Sequence, residues 1–327
     1  MLAAELDLLD AYCHADTKEY HKHKDEVNCL DFSPDLEIMV TGADDGRVRV
    51  FNRVKGHLVT RLFGHKEAIK GVAISANSKL IASASMDGYV HVWQTCDAQL
   101  TFKLTGHASG VETVAFSYDV SLLCSGGWDC TAIIWNLKTG TPQNILTGHR
   151  KAILSCAFSP KDDFLATGSW DNEVRLWVYG KAKAAGSCQV LRGHGSAVEI
   201  VVFSRTGMLA SGSHDKKILL WNPRGGVLLR EMVGHTGWIR GLSFNLSGTT
   251  LASAGDDETC KLWDVLSGDC AKSMELQDSI GQVHCVLFGS HDRLIVGGSN
   301  ILKSKRREGS HLSKSQDMLT DKSQEGH

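Results

Sequence analysis

Histidine, aspartate and a hydroxyl residue recur together through this chain, and those are the three residue types of a hydrolytic triad. The histidines are His23, His65, His107, His149, His194 and His235, spaced 42, 42, 42, 45 and 41 residues apart. Asp45, Asp87, Asp129, Asp171, Asp215 and Asp257 follow in step. Four residues before each aspartate stands a hydroxyl: Thr41, Ser83, Ser125, Thr167, Ser211 and Ser253. A nucleophile needs an exposed oxygen, a base within hydrogen-bond reach and oxyanion donors beside it. Here the set occurs six times, no Gly-x-Ser-x-Gly elbow accompanies it, and Trp93, Trp135, Trp177, Trp221 and Trp263 close the last five copies. An enzyme needs one site, whereas structural repetition explains six. The expectation is a non-enzymatic protein with no catalytic residue, no cofactor and no metal. A metal reading of His21 and His23 near Cys13 yields to the repeat, which already accounts for His23.

The elements that carry these residues are short strands. In the fourth repeat, Ile153 to Phe158, Phe164 to Ser169 and Val174 to Trp177 are apolar, β-branched runs separated by turns rich in Pro, Asp and Asn. A fourth run, Gln143 to Thr147, precedes Gly148-His149. Four strands per repeat of about 42 residues, with almost no helical periodicity, predict an all-β propeller. Seven such repeats need about 294 residues, which 327 accommodate as one domain.

From about residue 20 to 300 the pattern resembles the WD40-repeat family. That resemblance implies a seven-bladed propeller in which each repeat overlaps two blades and the N-terminal segment supplies the outer strand of the last. It also implies that each histidine bonds to its hydroxyl and its aspartate, with the strand tryptophan completing the set. Left unpaired between packed sheets, each polar group would cost about 1–3 kcal/mol, so the four satisfy one another. By the same resemblance the residue before each turn aspartate faces the top of the ring. These are Asp44, Met86, Trp128, Trp170, His214 and Asp256. The position five after each histidine gives a second ring of Asn28, Lys70, Glu112, Leu154, Glu199 and Arg240. Met86, Trp128, Trp170 and His214, with Lys70, Glu112 and Arg240, are the candidate partner-binding residues.

The pattern fails in the seventh repeat. Val283 to Phe288 and Leu294 to Gly298 read as strands, but the histidine, hydroxyl and aspartate positions fall at Ser279, Val296 and Asn300. No third strand ending in tryptophan follows. The sequence therefore predicts six full repeats and an incomplete seventh with Thr17 to Tyr20 as its candidate outer strand: either polar residues after Asn300 form a poor third strand, or the ring is imperfectly closed there. It divides the chain into an extension (1–12), a propeller (13–300) and a basic, disordered tail (301–327).

Formal net charge is −2. The tail holds six basic and four acidic residues, leaving about −4 for the rest, a poor electrostatic match to nucleic acid. The first ten residues have acidic side chains where a signal peptide needs basic ones, and no run is long and apolar enough to span a membrane. Ten scattered cysteines without a CxxC read as reduced thiols. A cytoplasmic protein follows, monomeric on its own, with Lys303 to Arg307 resembling a nuclear-import cluster. Function then lies on loops that bind protein or peptide partners. The alternative is a substrate receptor of a cullin-type ubiquitin ligase, through Trp221-Asn222-Pro223-Arg224 as a degenerate Trp-Asp-x-Arg box.

Overall fold

The computed structural model describes residues 15–18, 25–179, 187–276, 283–288, 294–298 and 302–305. Its strands form seven four-stranded antiparallel sheets. The short β1 (Ala15–Lys18) comes first in the chain, and then come the strands of the first blade. These are β2 (Val27–Phe32), β3 (Ile38–Ala43), β4 (Val48–Asn52) and β5 (His57–Leu62). The second holds β6 (Ile69–Ile74), β7 (Leu80–Ser85), β8 (Tyr89–Gln94) and β9 (Leu100–Thr105). The third holds β10 (Val111–Phe116), β11 (Leu122–Gly127), β12 (Thr131–Asn136) and β13 (Thr141–Thr147). Blade four has β14 (Ile153–Phe158), β15 (Phe164–Ser169), β16 (Val174–Val178) and β17 (Cys188–Leu191). Blade five has β18 (Val198–Phe203), β19 (Leu209–Ser213), β20 (Lys217–Asn222) and β21 (Val227–Val233). Blade six has β22 (Ile239–Phe244), β23 (Thr250–Gly255), β24 (Thr259–Asp264) and β25 (Cys270–Glu275). The last sheet is β26 (Val283–Phe288), β27 (Leu294–Gly298) and β28 (Leu302–Lys305), with β1 as its outer strand.

Innermost strands of successive sheets touch from β2 round to β26, and β26 returns to β2, which closes the ring. Composition explains the packing. The second strand of each blade is buried on both faces and is built from small residues, as in Leu-Ile-Ala-Ser-Ala-Ser of β7. Small side chains let neighbouring sheets approach, while large ones fill the wedge that opens outward. Trp135, 1% exposed, joins Ile133 and Leu123 against Ala82, Val90 and Leu104 of the blade before. Truncating such a residue costs about 3–5 kcal/mol. Outer strands alternate instead, β13 and β21 burying little beyond Leu146 and Met232.

In the seventh sheet the first of the two alternatives holds: polar residues after Asn300 supply a third strand, because Leu302 to Lys305 pairs with Leu294 to Gly297. The closing strand lies at Ala15–Lys18, so it overlaps the expected segment at Thr17 and Lys18 only, and Glu19 and Tyr20 lie outside the described residues. A sheet partner therefore occurs beyond the boundary drawn at residue 300. Backbone pairing needs no apolar pattern, which is why Leu-Lys-Ser-Lys gave no strand signal. The first twelve residues and the tail beyond Lys305 lie outside the described residues.

One backbone irregularity recurs in every blade. The pairing of first and second strands skips Asn28, Lys70, Glu112, Leu154, Glu199, Arg240 and His284. These are β-bulges, which re-aim the extra residue's side chain. Six of the seven are the second ring of candidate residues.

Candidate functional site

The repeated polar set assembles in five blades. In blade three His107 Nδ1 lies 2.9 Å from Asp129, its Nε2 lies 2.7 Å from Ser125 Oγ, and Trp135 Nε1 donates to the same oxygen at 2.8 Å. Blade four repeats this with His149, Asp171, Thr167 and Trp177 at 2.9, 2.7 and 2.9 Å. His65, Asp87, Ser83 and Trp93 do the same, as do His194, Asp215, Ser211 and Trp221, and His235, Asp257, Ser253 and Trp263. A carboxylate only accepts, so Nδ1 carries the proton and Nε2 accepts from the hydroxyl. That is the polarity of a triad, yet Ser83, Ser125, Thr167, Ser211 and Ser253 are all 0% exposed and each is capped by an indole N–H. A sealed oxygen meets no substrate, so these hydroxyls are structural.

Burial would raise the pKa of these aspartates, but hydrogen bonds from histidine and from backbone N–H groups lower it, to about 2 for Asp257. A second hydroxyl was not legible in the sequence. Ser85, Ser169 and Ser213 donate to the carbonyls of Glu67, Lys151 and Ser196 and accept from the N–H of the turn aspartate. In the first blade His23 lies outside the described residues, Phe51 is buried in the tryptophan's place, and Arg49 grips Asp45 with two nitrogens.

The candidate partner-binding residues gather where the turns between second and third strands meet the loops entering each blade. Backbone bonds such as Trp128 N–H to Gly110 O and Asp256 N–H to Trp238 O join the two sets at one face. Trp128 and Trp170, 41% and 38% exposed, meet edge to face with ring centres 5.1 Å apart. Glu112 accepts the Trp128 indole N–H at 2.8 Å. Burial raises the Glu112 pKa, against the opposing effects of Trp128 and Lys70. His214 bonds Glu199 at 3.0 Å, and Arg240 bridges Glu199 to Asp256. Lys70 instead turns to Asn28 and Asp44, and Met86 packs over Gly110.

Trp238 belongs with this group and was missed. It is 44% exposed, stacks on His214 at 4.2 Å, and lies under the Arg240 guanidinium at 5.1 Å. A signal existed: three residues after the other histidines of full repeats stand Glu26, Ala68, Gly110, Ala152 and Ala197, none of them aromatic.

At the opposite end of the axis a cavity of about 520 Å³ is lined by innermost strands, including Asp31, Val114, Phe116, Phe158 and Phe203. Arg224 lies among the loops between third and fourth strands, where its guanidinium is paired with Asp162 of the preceding blade at 3.0 and 3.3 Å. No helix among the described residues is long and apolar enough to cross a membrane, and no group of three or more His, Cys, Asp or Glu there has metal-binding geometry.

The profile of the WD domain, G-beta repeat family matches residues 15–52, 56–94, 98–136, 140–178, 186–222 and 226–264. The chain belongs to the WD40-repeat family. This WD40 propeller is similar over short stretches to nuclear distribution proteins. It is 44% identical over 73 residues to the nuclear distribution protein PAC1 of Tuber melanosporum, covering 22% of this chain and 16% of that one. With the nuclear distribution protein nudF of Aspergillus terreus it shares 39% over 93 residues, 28% of this chain and 20% of the other. The chain thus spans a fifth or less of these relatives' length.

Proposed function

We propose that this WD40 propeller is a non-enzymatic scaffold whose top face holds a protein or peptide partner against Trp128, Trp170 and Trp238. The observation that carries the reading is the convergence of three part-exposed indoles with Glu112, Glu199, His214 and Arg240. Aromatic anchors beside arginine dominate binding energy at protein interfaces, and here bulges and ion pairs fix their positions in advance. Within its family the sequence reads most like WD repeat-containing protein 38, a likeness that implies no defined biochemical activity. The site calls for no cofactor, and the chain works as a monomer in the cytoplasm until a partner binds. Scattered cysteines without a CxxC support a reducing compartment.

The ligase-receptor alternative has less support, because Arg224, its key side chain, is engaged by Asp162 within the ring. Replacing Trp128 and Trp170 together by alanine is the test. An anchor contributes about 2 kcal/mol or more, roughly thirtyfold in affinity, so the folded double variant should lose most proteins captured by the parent in proximity labelling. An unchanged set would move the site away from this face.

A further inference from the structure

Blade four carries a charge cluster that no repeat rule requires. Glu173, 4% exposed, receives Arg175 at 2.9 Å, Arg150 at 3.2 Å and Arg192 at 3.2 Å. The six full repeats act as an internal control. At the Glu173 position the others hold Arg47, Tyr89, Thr131, Lys217 and Thr259, and at the Arg175 position Arg49, His91, Ile133, Leu219 and Lys261. Blade closure therefore does not need three arginines around one carboxylate. A neighbouring carboxylate, Asp171, accepts from His149 and from the Arg150 backbone N–H.

Three guanidiniums outnumber the Glu173 and Asp171 carboxylates, so one positive charge is left in excess. Each guanidinium has several N–H donors, and one carboxylate cannot use them all. The buried Arg175 Nε has no hydrogen-bond partner, which records the shortage of acceptors. Arg150 and Arg192 reach the same Glu173 oxygen, so the two bonding nitrogens are at most twice 3.2 Å apart. Their side chains are 71% and 76% exposed, which leaves other donors turned to solvent. Glu173 thus holds two outward guanidiniums side by side before any ligand arrives, and Arg175 anchors it from below. Gly148 makes room for that anchor, since a Cβ there would overlap Arg175 Nη1.

We infer that Arg150 and Arg192 form a preorganised site for a phosphorylated side chain of a partner protein, bridged by its phosphate oxygens. Guanidinium pairs are suited to a dianionic group with several acceptor oxygens, and preorganisation lowers the entropy cost of binding. A nucleic-acid backbone fits less well. It needs a track of cations, whereas the described residues at this site present one compact pair, on a chain of formal net charge −2.

The test uses the full chain and two pools of fluorescein-labelled peptides, degenerate except for a central phosphoserine or a central serine. Fluorescence polarisation should show the phosphoserine pool binding at least about tenfold tighter. Arg150→Ala with Arg192→Ala should abolish that difference, and inorganic phosphate should compete with the phosphoserine pool alone. Arg150→Lys with Arg192→Lys keeps the charge but loses the fork, so it should restore the preference only in part. Trp128→Ala with Trp170→Ala should leave the preference intact, so failure of the top-face reading and failure of this one are separable. Equal binding of the two pools overturns the inference, as does a preference that survives the double alanine change. Tighter binding of a single-stranded oligonucleotide, with the same arginine dependence, would overturn the phosphoprotein in favour of nucleic acid.

Discussion

At the scale of the residue, a triad's chemistry has been turned into a fastener. The same two bonds that would activate a hydroxyl nucleophile instead tie a loop, a second strand and a turn together, and the indole N–H occupies the oxygen a substrate would need. His149→Ala should therefore destabilise the fold, since it removes partners from Thr167 Oγ1 and from the Asp171 carboxylate. Each orphaned group costs about 1–3 kcal/mol, and chemical denaturation should show the loss. A variant as stable as the parent would mean that water replaces the imidazole without penalty. The tetrads were legible because each of their residues sits at a fixed spacing. The bulges were not, because register is a property of the backbone and leaves no residue type behind. Glu112, Glu199 and Arg240 were singled out by position, while the reason they turn toward the mouth came only with the strand pairing.

At the scale of the element, the seventh sheet closes the ring by packing and not by a tetrad. Val286, Leu294 and Val296 lie against Leu262, Met274 and Leu276 of blade six, and Ile295 joins Phe32, Met39 and Phe51 of blade one. The Ser243 hydroxyl adds one link by accepting the Phe288 N–H. Apolar contact supplies area but little directional restraint, so this sheet should open locally before the others. Hydrogen exchange should find residues 283–288 and 294–298 less protected than 153–177. Equal protection would show that β1 and β28 hold the closing sheet as firmly as the indole and imidazole hold blade four. Strong repeats made six blades readable from the sequence. The strands that close the ring were hard to read because β28, paired on both edges, is held by its backbone whatever its composition, and the outer strand β1 is only four residues long.

At the scale of the whole molecule, two buried groups set opposite responses to acid. His91 is 2% exposed, stacks on His65 at 3.8 Å, and has neither ring nitrogen hydrogen-bonded. Burial, followed by the neighbouring His65, lowers its pKa from 6.5 to about 4. Between those values the unfolded chain binds the extra proton, so His91's contribution is complete above about pH 6.5 and is lost as pH falls toward 4. Burial lowers His65 and His235 as well, in the same sense. Asp31 acts the other way. It lines the axial cavity and accepts the N–H of Ile74 and of Phe32, yet burial outweighs those bonds and raises its pKa from 3.8 to about 6. Folding then favours its protonated form, so acidification from 6 toward 3.8 adds stability. Each of these displacements corresponds to roughly 3 kcal/mol, and across this window the His91 and Asp31 contributions largely offset one another. Asp31→Asn removes the gain and keeps the loss, so its stability measured by denaturant at pH 7, 6, 5 and 4.5 should fall more steeply than the parent's. His91→Leu, which installs the residue blade five carries at that position, should shift the slope the opposite way, leaving Asp31's gain on acidification opposed by His65 and His235 alone among these groups. The lost hydrogen bond or stack shifts each curve as a whole, whereas the slope reports the titration. Parallel profiles for parent and Asp31→Asn would show that the carboxyl at the channel wall titrates alike in the folded and unfolded chain.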